Sequence, residues 1–159
     1  RGGTIPSCPL PGYGFSQKGR VMDGKWWDAG LPFQCTQCGK CCRVEGYVWV
    51  RRDDIREMAA FLEITPTEFE KKYVRTVGRQ LSLIEKPNRE CIFWDNGCTV
   101  YPVRPPQCKT FPFWHQNLSS IDEWQEVVED CPGTGTGVVY SKEEIEELLR
   151  GHGETNKKE

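Results

Sequence analysis

The residues of this chain best equipped for chemistry are thiols. Cys35, Cys38, Cys41 and Cys42 fall within eight residues, in the run Cys-Thr-Gln-Cys-Gly-Lys-Cys-Cys, and Cys91, Cys98, Cys108 and Cys131 follow at wider spacing. Two intervening residues between Cys35 and Cys38, and again between Cys38 and Cys41, let one tight turn aim several sulfurs at a common centre. Zinc and iron–sulfur clusters both use that spacing. Cys41 and Cys42 are adjacent. In extended backbone neighbouring side chains leave on opposite sides, so the pair suits one ligand to each of two centres, or one ligand beside a buried thiol. The bacterial ferredoxin run has three cysteines at this spacing and a later cysteine before proline. Here Cys131 precedes Pro132, although nothing after Cys42 supplies the usual fourth cysteine.

Nine cysteines in 159 residues admit a secreted disulfide scaffold with one thiol left over, or a reduced metal protein. The close cluster favours metal, because disulfides within such tight loops are strained. Iron–sulfur is the first reading and zinc the second. A formal net charge of −2 argues against a general nucleic-acid binder. A hydrophobic content of 37% gives a thin core for one domain, which metal would help to hold. Six tryptophans could wrap the sulfurs and exclude water. The sequence contains no secretory signal and no apolar run of membrane length. It starts at Arg1 rather than Met, which reads as a processed or trimmed product. A reducing compartment is expected: cytoplasm, plastid stroma or mitochondrial matrix.

The elements that must position these thiols are short. Residues 1–34, rich in Gly, Pro and aromatics, read as an irregular arm carrying Cys8, a thiol without a local partner. Gly39 tolerates positive φ and lets backbone N–H groups approach sulfur, and Lys40 either offsets thiolate charge or is an ordinary exposed lysine. Val44–Val50 reads as a strand. Asp53 or Asp54 starts a helix with Ile55, Met58, Ala59 and Leu62 on one face. Thr65-Pro-Thr-Glu68 is a capping box for a second helix, with Phe69 and Tyr73 inward. Residues 80–84 and 91–94 read as strands, the second running into the Asp95-Asn96-Gly97 turn that places Cys98 near Cys91. That pair suits two added ligands, or two core cysteines beside a turn. Residues 117–130 fit a helix or a strand. Gly133-Thr-Gly-Thr-Gly137 lacks the ending of a phosphate loop and reads as a flexible turn. Ser141-Lys-Glu-Glu144 is a second capping box, for a terminal helix with Ile145, Leu148 and Leu149 inward; residues 151–159 read as a polar tail.

In Tyr101-Pro-Val-Arg104-Pro-Pro-Gln-Cys108, prolines stiffen the backbone on either side of a cation and ahead of a cysteine. Arg104 can pair with a carboxylate, a cluster sulfur or an anionic ligand. His115 and His152 read as non-ligands. Phe111, Phe113 and Trp114, with Trp26 and Trp27, could form a docking face for a protein partner or larger complex.

The knuckle at 35–42, the Cys91 and Cys98 pair, Arg104-Pro-x-x-Cys108-x-x-Phe-Pro and Cys131-Pro-Gly together resemble the CxxCxxCC family of zinc- or iron-chelating domains. The resemblance covers residues 35–133. The family includes many stand-alone proteins of undefined activity and extends to the cysteine-rich part of flagellin lysine N-methylase, where a similar domain is tied to methyl transfer. The resemblance implies an iron–sulfur or zinc domain using Cys35, Cys38, Cys41, Cys42, Cys91, Cys98, Cys108 and Cys131, with Cys8 outside the pattern.

The expected fold is α+β: a small, cysteine-rich, metal-nucleated single domain over 35–150, with short strands and peripheral helices. The expected function is iron–sulfur binding, with one or two clusters of the 4Fe-4S kind, in electron transfer or as an assembly factor or accessory subunit of a redox complex. Arg104 and Lys109 would tune the cofactor. The alternatives are a zinc-stabilised protein-interaction module without turnover and a component of a methyl-transfer enzyme.

Overall fold

The computed structural model describes residues 24–153. In chain order the elements are β1 (Leu31–Phe33), β2 (Trp49–Val50), α1 (Arg52–Phe61), α2 (Pro66–Tyr73), β3 (Val74–Val77), β4 (Gln80–Leu83), α3 (Pro106–Thr110), α4 (Ile121–Asp130), β5 (Val138–Tyr140) and α5 (Lys142–Gly153). Single 3-10 turns at Lys40–Cys42 and Tyr101–Val103 interrupt the long connections. The result is a small α+β domain with short strands, peripheral helices and many cysteines.

The helices form where their caps dictate. In α1 the Asp54 carboxylate accepts from the Arg51 N–H at 2.7 Å, which starts the helix earlier than Asp53. Ile55, Met58 and Ala59 then form its buried stripe. Thr65 caps α2: Glu68 N–H donates to Thr65 Oγ1 at 3.2 Å while Thr65 N–H donates to Glu68 Oε2 at 2.9 Å. Pro66 occupies the first turn and Phe69 is fully buried. Ser120 caps α4, which settles residues 121–130 as helix, and Ser141 N–H donates to Glu144 Oε2 at 2.7 Å at the head of α5. The tail expected from residue 151 instead begins within the helix, because α5 runs to Gly153.

The strands make two antiparallel sheets. In one, β4 lies between β2 and β3. In the other, β1 pairs with β5, Leu31 opposite Tyr140 and Phe33 opposite Val138. This second sheet was not expected, and it changes the reading of the N-terminal stretch: from residue 24 onward the chain is built into the fold, with Trp27 in the core. The strand expected over 44–50 is ordered as strand only at Trp49–Val50. The preceding residues turn away, with Val44 exposed and Arg89 Nη1 donating to Glu45 Oε2 at 2.6 Å. Residues 91–94 form a turn rather than a strand, because the Cys91 N–H is used elsewhere and the Trp94 N–H donates to the Cys91 carbonyl at 2.9 Å.

Two apolar clusters result. The first gathers Trp27, Phe33, Phe113, Trp124, Ile145 and Leu149, with Phe113 stacked on Trp124 at 6.0 Å between ring centroids. The second gathers Val50, Ile55, Met58, Phe69, Phe93 and Val100. Trp27 and Phe113 therefore belong to the interior and not to a docking face. Trp26, Phe111 and Trp114 are half-buried against the same cluster, and Trp26 Nε1 donates to the Leu118 carbonyl at 3.2 Å.

Candidate metal centre

Each cysteine is carried to one place by local backbone chemistry. β1 delivers Cys35. Beside it, the Gln34 N–H donates to the Gly133 carbonyl at 3.0 Å. A Cβ on Gly133 would lie 2.2 Å from the Gln34 carbonyl oxygen, so only glycine lets the Cys131-Pro132-Gly133 corner approach this closely. The loop at 133–137 is ordered by that packing: Thr134 is buried, its Oγ1 donates to the Cys131 carbonyl at 2.6 Å, and Gly135 N–H donates to the Pro32 carbonyl at 2.9 Å.

Cys41 and Cys42 sit in the 3-10 turn at Lys40–Cys42, which Gly39 enters with φ 73°. The expectation of positive φ holds, but the reason for glycine is a ring and not a sulfur: an added Cβ would meet Trp94 atoms at 1.9–2.4 Å. Arg43 closes the turn, with Nε donating to the Gly39 carbonyl at 3.3 Å and Nη2 to the Cys38 carbonyl at 3.2 Å. Its guanidinium lies over Trp94, 5.4 Å from the ring centroid. The Cys91 N–H donates to the Cys42 carbonyl at 2.7 Å, which ties the knuckle directly to the turn bearing Cys91 and Cys98. Cys108 lies in α3, and its neighbour Gln107 holds that helix to β2, accepting from the Trp49 N–H at 3.0 Å and donating to the Tyr47 carbonyl at 2.9 Å.

All eight of these cysteines line one cavity of about 640 Å³. Phe33 from the first apolar cluster and Phe93 and Val100 from the second also line it, so the thiols occupy the seam between the two. Trp94, Tyr101, Phe111 and Trp114 complete an aromatic wall. All eight are free thiols. Cys8 lies outside the described residues.

The sulfurs are gathered around the cavity but not drawn together. Among the described residues no three His, Cys, Asp or Glu side chains stand close enough to hold an ion as they are. Within the vicinal pair, Cys41 Sγ and Cys42 Sγ stand 3.9 Å apart. The expectation of divergent side chains assumed extended backbone, and the 3-10 turn removes that premise. Two ligands of a tetrahedral zinc ion with bonds of ~2.3 Å stand ~3.8 Å apart, so this pair has the bite of a single ion.

The electrostatics hold most of these thiols protonated. Burial pushes Cys91, Cys98, Cys108 and Cys131 up. A hydrogen bond with Cys42 pulls Cys41 down to about 7, while the same bond and burial push Cys42 far up. The Arg104 charge favours the thiolate at Cys41, Cys98 and Cys108. Tyr101 is raised by its hydrogen bond with the Cys35 side chain and then by burial.

Arg104 lines the cavity with its guanidinium carbon 3.7 Å from the Tyr101 ring centroid, and its Nε–H is buried without a hydrogen-bond partner. Among the described residues it makes no ion pair with a carboxylate. Eight thiols and one unpartnered buried N–H donor fit a thiolate-bound metal centre, which carries net negative charge. Lys109 is exposed and does not line the cavity. Lys40 points to Asp130, Nζ to Oδ1 at 3.7 Å, on the exposed rim. His115 is exposed outside the cavity, and the side chain of His152 lies outside the described residues. Sequence reasoning missed Arg43 and Gln107. A cation immediately after the last knuckle cysteine was a usable signal for the first; nothing in the sequence pointed to the second.

A small α+β domain whose cysteines converge on one cavity is a metal-chelating domain in class, and comparison with known proteins agrees. Residues 34–132 match the CxxCxxCC family model, described as "Putative zinc- or iron-chelating domain". The match spans more than half of the chain, and the chain belongs to that family. It is also similar to the uncharacterized protein MJ0661 of Methanocaldococcus jannaschii, 31% identical over 87 residues, which are 53% of this chain and 46% of that protein. The aligned region thus spans about half the length of that relative. No solved structure matches.

Proposed function

We propose that the cavity binds a thiolate-ligated metal centre, an iron–sulfur cluster in the first instance, and that the domain serves as a redox or assembly component of a larger protein complex. The observation that carries this reading is the convergence of all eight cysteines on one cavity lined by both apolar clusters. Cys35, Cys38, Cys41, Cys42, Cys91, Cys98, Cys108 and Cys131 would hold the metal. Bound there, an iron–sulfur centre would supply one-electron chemistry. The aromatic wall would limit water, and the neighbouring cation and backbone amides would set the charge balance around the sulfurs. Free thiols in this number suit a reducing compartment, such as the cytoplasm, plastid stroma or mitochondrial matrix.

A zinc-stabilised interaction module is the second reading, favoured by the single-ion bite of Cys41 and Cys42. Partner contact would then fall on exposed side chains such as Tyr47 and Phe61 rather than on the buried aromatics. Among the described residues no helix is long and apolar enough to cross a membrane. Anaerobic purification with metal and sulfide analysis separates the readings. Stoichiometric iron and acid-labile sulfide with broad visible absorption supports the first. A colourless protein with tightly held zinc overturns it in favour of the second.

A further inference from the structure

We propose that Arg104 is the fixed counter-charge of the thiolate centre, its buried Nε–H reserved for a metal-bound sulfur. That inference rests on the metal-centre reading above and adds to it one cation of the cavity wall, which Lys40 and Arg43 also line. Three observations carry it. A buried guanidinium N–H without a partner is costly, yet Nε of Arg104, a residue that lines the cavity, is left in that state. The guanidinium is held by contact with the Tyr101 ring at 3.7 Å, on a segment made rigid by Pro102, Pro105 and Pro106. Among the described residues no carboxylate forms an ion pair with it, so its charge is not already committed.

A tetrathiolate centre is anionic whether it holds zinc or an iron–sulfur cluster, and its sulfurs accept hydrogen bonds. Arginine cannot escape the site by losing its proton, as lysine could. Its planar group stacks on Tyr101 and still carries N–H donors at its edge, a combination that lysine lacks. Arg104 is thus a positioning residue that acts on the cysteines, with Tyr101 holding it in place.

The test uses the metal-free full chain titrated with zinc against a chromophoric chelator, in wild type, Arg104→Gln and Arg104→Lys. The metal-free and zinc-loaded forms of each are also melted. Wild type is expected to bind zinc. Arg104→Gln should weaken apparent affinity roughly 10–100-fold, the usual scale for losing an outer partner of a metal ligand. Arg104→Lys should recover only a fraction of the loss. The melting temperature should fall more in the zinc-loaded form than in the metal-free form. Wild type that takes up neither zinc nor, on anaerobic incubation with iron and sulfide, a cluster would overturn the metal-centre reading itself. Wild type that binds, with Arg104→Gln binding equally tightly or with both forms losing the same number of degrees, would overturn the role of Arg104 and leave the centre standing.

Discussion

At the scale of single residues, the distinctive feature is a set of thiols that burial keeps protonated. Cys91, Cys98, Cys108 and Cys131 are all raised by burial, whereas Cys41 is lowered to about 7 by its hydrogen bond with Cys42. Metal binds the thiolate, so each raised cysteine that ligates must release its proton. Zinc added to metal-free protein at pH 7 in weak buffer should therefore acidify the solution by nearly one proton per ligating raised thiol, and by about half a proton for Cys41. Apparent affinity should rise with pH over the range in which those thiols remain protonated. A titration with a pH indicator checks both, and metal uptake without acidification would contradict the assignment. Of the ligand candidates, spacing pointed to the knuckle at 35–42 and the turn to the Cys91 and Cys98 pair, while the set of eight came from the family resemblance. Their immediate partners were less legible. Lys109 was expected beside Arg104 as a group tuning the cofactor, and it lies exposed on α3 outside the cavity lining. Gln107, which bonds the backbone on both sides of Val48, carries no spacing signal at all.

At the scale of elements, caps and turn chemistry were readable and strand extents were not. The boxes at Thr65–Glu68 and Ser141–Glu144 depend only on residues three apart, and both formed as expected. The strand expected over 91–94 failed because Cys91 spends its N–H on the Cys42 carbonyl, a partner far away in sequence. β1 and β5 were missed for the same reason: each is three residues long and exists only because the other lies opposite. The knuckle depends on one contact of this kind. Gly39 has φ 73° and lies under the Trp94 ring. Gly39→Ala should cost about 1–2 kcal/mol from the left-handed backbone alone, and displacing Trp94 should add to this. Thermal melting should show that loss, with tryptophan fluorescence reporting the shifted ring. A variant as stable as wild type, with unchanged fluorescence, would show that the turn tolerates a side chain.

At the scale of the whole molecule, the cavity lies in the seam between two apolar clusters, with ligand candidates on both sides: Cys35 and Cys131 pack with the first, Cys91 and Cys98 with the second. Metal there would join them, so chelation should loosen the seam before it melts either cluster. Hydrogen exchange with and without chelator should show protection lost at 35–42, 91–108 and around 131, while the core of α1, built on the fully buried Met58 and Ala59, stays protected. Uniform loss across the chain would instead mean that metal nucleates the entire fold. The pairing of β1 with β5 has a mechanical corollary. Its register sets Leu31, where one strand begins, against Tyr140, where the other ends. Tension applied at residues 24 and 153 would therefore load that pair like a zipper rather than in shear, and its few backbone bonds would break in succession. In a force spectrum this clasp should yield early, at low load, while the seam of thiols downstream remains closed.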